Sequence, residues 1–456
     1  MGGVNKRQTK AYDTVAEPTR SCVLHLDIRR RPNHDDPLAQ KIEKRDPQVR
    51  LDEAVALTKA INLVVVTQAV VPIRKVRPAT IMGEGVIEDW HWFIHNERIE
   101  VVVIDARLTP VQQRNLERGL EVKVLDRTAL ILEIFGARAR TKEGRLQVDL
   151  AQLSYQRSRL VRSWTHLERQ RGGAGFMGGP GESQLEIDRR LIAERIDKLK
   201  TDLGKVRSTR KLQREWRQST PVPVVAVVGY TNAGKSTLFN RLTDADVLAK
   251  DMLFATLDPT LRKFKLPSGQ DVVFADTVGF VSDLPHELVD AFRATLEEVQ
   301  QADLILHVRN ASHPDWDAQK EDVDRVLESL GVVNTETAIA QIDVWNKCDL
   351  PLGRERAEIL FADEDVGSVH VTSAITGEGL SSLLSAIDTF LTRGHRDLVV
   401  DVPWAEGAAL AWLYDHGDVT EAQTLESATR LKVRVTPADH AKFESRFGDS
   451  AVVLAN

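Results

Sequence analysis

The sequence predicts a multidomain α/β protein in four parts: an N-terminal α/β subdomain with a flexible start (1–145), an antiparallel helical hairpin (146–220), a P-loop domain (221–392) and a small C-terminal domain (393–456). Three observations carry this reading. Short β-rich apolar runs alternate with helical patterns up to residue 138. Two long helical stretches flank a Gly-rich segment, Gly172–Gly181. A phosphate-loop motif, Gly229-Tyr230-Thr231-Asn232-Ala233-Gly234-Lys235-Ser236, sits between an apolar run and a helix-forming segment.

Composition narrows the classes. A chain of 456 residues with 42% hydrophobic and 28% charged residues has material for several cores and is not disordered throughout. The net charge of −6 excludes a uniformly basic nucleic-acid coat, while a local basic face is still allowed. Cys22 and Cys348 are too few for a disulfide framework or a four-thiolate metal site, which favours a reducing compartment. The first twenty residues lack the apolar run of a signal peptide, and stretches such as Ile61–Pro72 are too short to span a bilayer. A cytoplasmic protein without stable membrane insertion is expected.

Residues 1–20 read as a frayed tail, Ser21–Leu26 as a short strand, and residues 28–49, with Pro32, Pro37 and Pro47, as a loop. Strands are then expected at Leu63–Gln68, Ile99–Ile104 and Glu121–Leu125, and helices at Asp52–Lys59, Pro110–Glu117 and Arg127–Arg138. Val148–Gln170 reads as one long helix and Ser183–Trp216 as a second, with apolar positions that include Leu150, Leu153, Ile196 and Leu203. Residues 161–220 carry 14 Lys plus Arg against 8 Asp plus Glu. Their cations, Arg210 and Arg214 among them, suit either a solvated helix face or nucleic-acid phosphates. The tail (395–456) is acidic, with strands expected at Leu431–Val435 and Ala451–Leu454 and helix at Leu410–Leu413.

The phosphate loop has a physical reading. Its glycines let the backbone wrap phosphate oxygens, and the amides of Gly229 to Thr237 face an anion at a helix N-terminus. Lys235 reaches the β and γ phosphates, and Ser236 can ligate Mg²⁺. Asp276-Thr277-Val278-Gly279 follows a short apolar run, so Asp276 can hold the ion and the Gly279 amide can sense a γ-phosphate. Asn346-Lys347-Cys348-Asp349 chooses the base: Asp349 accepts from guanine N1 and its exocyclic amine, a donor pair adenine lacks. Asn346 braces that loop, the Lys347 stem covers the base, and Ser373-Ala374 brings an amide near guanine O6.

These motifs in this order resemble the GTPase superfamily, and more closely the HflX family of ribosome-associated GTPases. The closer likeness is carried by Gly179-Pro180-Gly181-Glu182-Ser183-Gln184-Leu185-Glu186, Asp188-Arg189-Arg190 and Phe254-Ala255-Thr256-Leu257-Asp258-Pro259-Thr260. Asp276-Thr277-Val278-Gly279-Phe280, Gln112–Glu117 and Leu146–Leu150 add to it, and the likeness spans about residues 50–392. The resemblance implies a P-loop GTPase that hydrolyses GTP to GDP and phosphate, with Lys235, Thr256 and Gly279 as catalytic contacts and Ser236, Thr256 and Asp276 around Mg²⁺. It implies binding to the 50S large ribosomal subunit and its 23S rRNA through Gly172–Gly181, and splitting of stalled or inactive ribosomes. The alternatives are a GTP-controlled assembly or storage factor, or an ATP-driven RNA remodeller. Asn232 resembles the P-loop asparagine of potassium-stimulated GTPases, which adds K⁺ as an expected ion.

The chain departs from the family pattern at Ser183, at Arg309-Asn310 and over residues 83–97. Phe280 stands where many GTPases place a water-orienting Gln, so slow intrinsic hydrolysis is expected.

Overall fold

The computed structural model describes residues 18–28, 45–170, 184–218, 222–243, 254, 256, 260–282, 296, 298–332, 338–361, 369–393, 396–435, 437–448 and 451–455. The chain divides into two compact units, residues 1–131 and 132–456. Within both, the described elements form the multidomain α/β architecture that the sequence predicts.

The first unit is built on a four-stranded parallel sheet in the order β2-β1-β3-β4. Its strands are β1 (Arg20–Ile28), β2 (Val64–Ile73), β3 (Val101–Asp105) and β4 (Lys123–Asp126). Parallel neighbours need crossover connections, and the helices supply them. α1 (Pro47–Lys59) begins inside the segment expected as loop, because Asp46 accepts from the Gln48 N–H at 2.8 Å and Pro47 takes the first helical position. α2 (Glu84–Asn96) was not foreseen in the sequence; its buried Ile87 and Ile94 lie seven residues apart, a two-turn spacing. α3 (Pro110–Leu120) starts at a capping box between Thr109 and Gln112. It ends where Glu121 turns left-handed at φ 56°, so β4 starts later than expected. The core between sheet and helices holds Leu24, Met82, Ile94, Val102, Ile104, Leu116 and Leu120.

A buried ionic chain crosses the sheet of this unit. His25 Nδ1 lies 2.8 Å from Asp105 Oδ2, Arg127 pairs with Asp105 Oδ1, and its other nitrogen donates to Glu53 at 2.9 Å. Burial pushes the Asp105 carboxyl up, but Arg127 and His25 prevail and hold it well below the usual carboxylate range. Its contribution to stability is therefore complete above the unfolded carboxylate pKa, near 4, and is lost as pH falls through the lower folded value. Asp105→Asn removes the charge facing Arg127 and should destabilise this unit by about 3 kcal/mol in urea unfolding at neutral pH, with a smaller difference in strong acid. An unchanged midpoint at pH 7 would contradict this account.

The second unit opens with the end of α4 (Arg127–Arg138) and two long helices, α5 (Lys142–Gln170) and α6 (Gln184–Gln218). At 1.5 Å per residue they extend about 43 and 52 Å. They pack side by side and bury Val148 and Ala151 on one, Ile196 and Leu203 on the other. Gly172–Gly181, the expected RNA-facing tip, lies outside the described residues, as do the side chains of Arg210 and Arg214.

Next comes a six-stranded sheet in the order β10-β9-β8-β5-β7-β6. Its strands are β5 (Val224–Gly229), β6 (Thr260–Lys265), β7 (Asp271–Asp276), β8 (Leu304–Asn310), β9 (Gln341–Asn346) and β10 (Val369–Val371). Only the edge strand β6 runs antiparallel. Helices α7 (Lys235–Thr243), α8 (Trp316–Ser329), α9 (Pro351–Phe361) and α10 (Leu380–Leu391) accompany it. Phe239, Phe274, Leu306, Val308, Leu383 and Ile387 fill its core.

The last part is an antiparallel sheet ordered β12-β13-β11-β14. It consists of β11 (Arg396–Pro403), β12 (Asp418–Thr424), β13 (Ala428–Val435) and β14 (Val452–Ala455). Helices α11 (Gly407–His416) and α12 (Pro437–Phe447) close over it through Trp412, Phe443 and Phe447. Its β11 and β12 were not expected from the sequence. No helix among the described residues is long and apolar enough to cross a membrane.

Candidate nucleotide-binding site

In a parallel α/β sheet the strand carboxyl ends and helix N-termini converge, and polar groups there line a crevice. The central strand β5 ends in the phosphate loop and runs straight into α7. β7, its neighbour, ends at Asp276, and β9 ends at Asn346. Together they enclose a pocket of about 500 Å³ lined by Thr231, Asn232, Gly234, Lys235, Ser236, Thr237, Phe254, Thr256, Thr277, Gly279, Asn346, Lys347, Asp349, Leu350, Ala374 and Ile375.

Two glycines allow the loop its path. Gly229 has φ 148° and lies against the Val308 carbonyl, where a β-carbon would collide. Gly234 has φ 89° and abuts the Asn346 amide in the same way. The loop is then zipped to the following strand end: Thr231 N–H donates to the Phe280 carbonyl at 2.7 Å, and Phe280 N–H to the Gly229 carbonyl at 3.1 Å. Tyr230 adds its hydroxyl, which accepts from Ser282 N–H at 2.8 Å. This brings Gly279 close under Thr231 and Lys235, with space for a β-carbon only 3.0 Å from Lys235 Nζ. The Phe280 side chain is buried and offers no polar group.

Lys235 is buried, and its Nζ donates to the Tyr230 carbonyl at 2.7 Å. Burial pushes its pKa down to about 8, against the pull of Asp276. Asp276 is fully buried, and burial raises its carboxyl above the ordinary range although Thr256 and Ser236 both donate to it. Thr256 Oγ1 lies 2.7 Å and Ser236 Oγ 2.8 Å from Asp276 Oδ2, and the two hydroxyls are 2.8 Å apart. The second carboxylate oxygen, Asp276 Oδ1, finds no hydrogen-bond partner among the described residues. One carboxylate and two hydroxyls are hard oxygen donors of the kind Mg²⁺ takes, with waters and phosphates completing its shell.

At the opposite end Asn346 ties three loops together. Its Nδ2 donates to the Ala233 carbonyl at 2.9 Å, and its Oδ1 accepts from Ala374 N–H at 3.0 Å. That amide is thus already engaged, and an Ala374 contact to a base would have to share it. Ser373, also buried, closes the same turn: its Oγ accepts from Thr376 N–H at 3.1 Å. Lys347, at φ 65°, donates from Nζ to Asn232 Oδ1 at 3.1 Å, and Asn232 is itself left-handed at φ 56°. Asp349 Oδ1 is buried without a partner among the described residues. An unpaired carboxylate oxygen facing a pocket calls for donors of the kind guanine offers. Cys348 Sγ donates to the Trp345 carbonyl at 3.2 Å, and burial pushes its thiol up to about 11, so it is an inert loop residue. Arg309 is held away from the pocket lining by Asp317 at 2.8 Å and by the Trp316 ring at 3.9 Å.

The pocket thus gathers Thr231, Asn232, Gly234, Lys235, Ser236, Thr237, Thr256, Gly279, Asn346, Lys347, Asp349 and Ala374, named from motifs, around one space. It also holds Phe254, Leu350 and Ile375, to which the sequence reading gave no role. Leu350 and Ile375 directly follow Asp349 and Ala374, and that adjacency was the available signal.

A phosphate loop on the central strand, a carboxylate on the next and an Asn-Lys-x-Asp loop on a third make this chain a P-loop GTPase. Family comparison agrees over most of its length. The N-terminal and middle regions of GTP-binding GTPases match residues 48–136 and 138–217, 50S ribosome-binding GTPases match 224–347, and the HflX C-terminal domain matches 361–455. GTPase HflX of Magnetococcus marinus is 50% identical over 401 residues, covering 88% of this chain and 91% of that protein. GTPase HflX of Escherichia coli is 44% identical over 363 residues, covering 79% and 84%. A GTP-binding protein of Sulfolobus solfataricus, solved with GDP, aligns with a TM-score of 0.41 and 22% identity over 82% of this chain and 99% of its own. The chain belongs to the HflX family of GTPases.

Proposed function

We propose that this GTPase binds the 50S subunit and its 23S rRNA through the helical arm and Gly172–Gly181, and that its GTP-bound state splits stalled or inactive intact ribosomes in the cytoplasm. The observation that carries the reading is a G domain matching 50S ribosome-binding GTPases, on a chain that also carries an arm of two packed helices about 50 Å long. The excess of cations over residues 161–220 suits rRNA phosphates.

Within the site, Lys235 and the amides of residues 232–237 hold the phosphates, and Asp349 accepts from guanine while Asn346 keeps its loop against the phosphate loop. Ser236, Thr256 and Asp276 would hold Mg²⁺, which supplies charge neutralisation at the phosphates. Gly279 brings its amide beside the lysine. Phe280 cannot orient water, so intrinsic hydrolysis is slow and ribosome contact accelerates it. Asn232, at the phosphate-loop bend, is the residue through which potassium would act.

The test incubates intact ribosomes with the full chain and GTP, a non-hydrolysable analogue or GDP, then resolves subunits by sedimentation. Separation with GTP and the analogue, but not with GDP, is expected. Attachment without separation would instead favour an assembly or storage factor, and no affinity for the 50S subunit would overturn the proposal. Turnover measured in potassium and in sodium, with and without ribosomes, checks the ion and the activation together.

A further inference from the structure

Two buried rings outside the motif set meet beside the pocket. Phe135, near the end of α4, and Phe254, on the pocket wall, lie edge to face with centroids 4.7 Å apart and planes at 82°. Both belong to the second unit, and each exposes 2% or less of its surface. Phe254 has φ 55°, a backbone conformation that a bulky residue adopts only when its surroundings enforce it. Two residues later Thr256 places its hydroxyl against Ser236 and Asp276. On its other side Phe135 belongs to the root of the arm. Its carbonyl accepts from Ala139 N–H at 2.9 Å, the Ala139 carbonyl accepts from Arg145 of α5 at 3.4 Å, and Gly136 faces Val148 and Gln152.

We propose that Phe135 is a positioning residue for the GTPase site: its ring holds Phe254 in place and thereby sets the Thr256 hydroxyl at the metal-binding cluster. The inference rests on the reading of Thr256 as a contact to the metal and the γ-phosphate side. GDP lacks the γ-phosphate, so the buttress matters for the triphosphate and not for the diphosphate. Removing the ring frees Phe254 to leave its left-handed conformation, and Thr256 goes with it. The same contact lets the arm root sense which nucleotide is bound, because coupling between two sites is reciprocal.

The test measures affinity of the full chain, in Mg²⁺, for a non-hydrolysable GTP analogue and for GDP, alongside steady-state turnover. Phe135→Ala should weaken the analogue about tenfold and lower turnover similarly, while GDP affinity stays within twofold. Phe135→Leu, which keeps the cavity filled, should restore most of the loss. Phe135→Ala added to Phe254→Ala should cost little more than Phe254→Ala alone, as expected for residues acting as one unit. Thermal melting reports folding, and if Phe135→Ala does not fold, Phe135→Val, which fills the ring's place only in part, is read by the same analogue-to-GDP ratio, with a smaller loss for the analogue and none for GDP expected. Equal losses for both nucleotides, or none, would overturn the proposal. Thr256→Ala separates the two layers. If it discriminates analogue from GDP and the Phe135 variants do not, the buttress alone is wrong. If Thr256→Ala fails to discriminate, the reading of Thr256 falls and the buttress with it.

Discussion

Lys235→Ala lowers kcat/KM for GTP by roughly 10³-fold, about 4 kcal/mol of transition-state stabilisation. The ammonium is buried in the loop, 2.7 Å from the Tyr230 carbonyl and beside Gly279. No other lysine or arginine of the pocket lining stands in that position; Lys347 lies across the pocket against Asn232. Alanine also removes the cation that opposes protonation of Asp276, whose carboxyl burial already raises. The variant should therefore lose Mg²⁺-dependent nucleotide affinity as well as turnover, read by titration with a fluorescent GTP analogue. The wild type has its own pH signature. With Lys235 depressed to about 8, its cation is present below that pH and is lost above it, so GTP affinity falls as pH rises through that range. Bound phosphate favours the charged form and moves the fall upward. Turnover of Lys235→Ala within tenfold of wild type would refute the role of this residue.

Asp349→Asn exchanges the preferred base. Asp349 presents a buried carboxylate oxygen without a partner among the described residues, and guanine N1 and its amine would supply the donors it lacks. An asparagine can turn its NH₂ toward those donors only at the cost of facing donor to donor. GTP affinity should fall roughly 10³-fold, in line with sites built to hydrogen-bond one ligand group. Xanthosine triphosphate, which carries an oxygen where guanine has its amine, should bind the variant better than GTP does. Competition binding with the two nucleotides checks both halves, and an undiminished preference for GTP would show that the base is recognised elsewhere. The neighbouring Asn346 provides a contrast: it is buried with both amide ends occupied by Ala233 and Ala374, so its loss should loosen all three loops without changing base preference.

Three of the elements not expected from the sequence, α2, β6 and β12, are weakly specified by their own residues. α2 carries Trp90, His91, Trp92 and His95, weak helix formers whose placement is decided by the contact of Ile87 and Ile94 with the first sheet. β6 reads Thr-Leu-Arg-Lys-Phe-Lys and β12 Asp-Val-Thr-Glu-Ala-Gln-Thr, both edge strands with little apolar alternation. An edge strand is specified by the partner it pairs with, here the next strand in the chain: β6 pairs with β7 and β12 with β13, so pairing fixes them where their own pattern does not. The strongly patterned segments, by contrast, announced themselves: the apolar centre of β1, the Val-rich β3 and β5, and the long stripes of α5 and α6.

Sequence alone determined the α/β architecture and pointed to a GTPase, because a phosphate loop, a carboxylate suited to Mg²⁺ and an Asn-Lys-x-Asp loop are short local patterns whose residue types follow from the groups they would bind. Only the tertiary structure decided that Asn346 would clasp both Ala233 and Ala374, that Asp276 would collect two hydroxyls from residues 20 and 40 positions away, and that Phe135 would meet Phe254 across more than a hundred residues. Those contacts depend on which strand lies beside which, and side-chain packing across such separations leaves no periodicity or spacing in the chain to read.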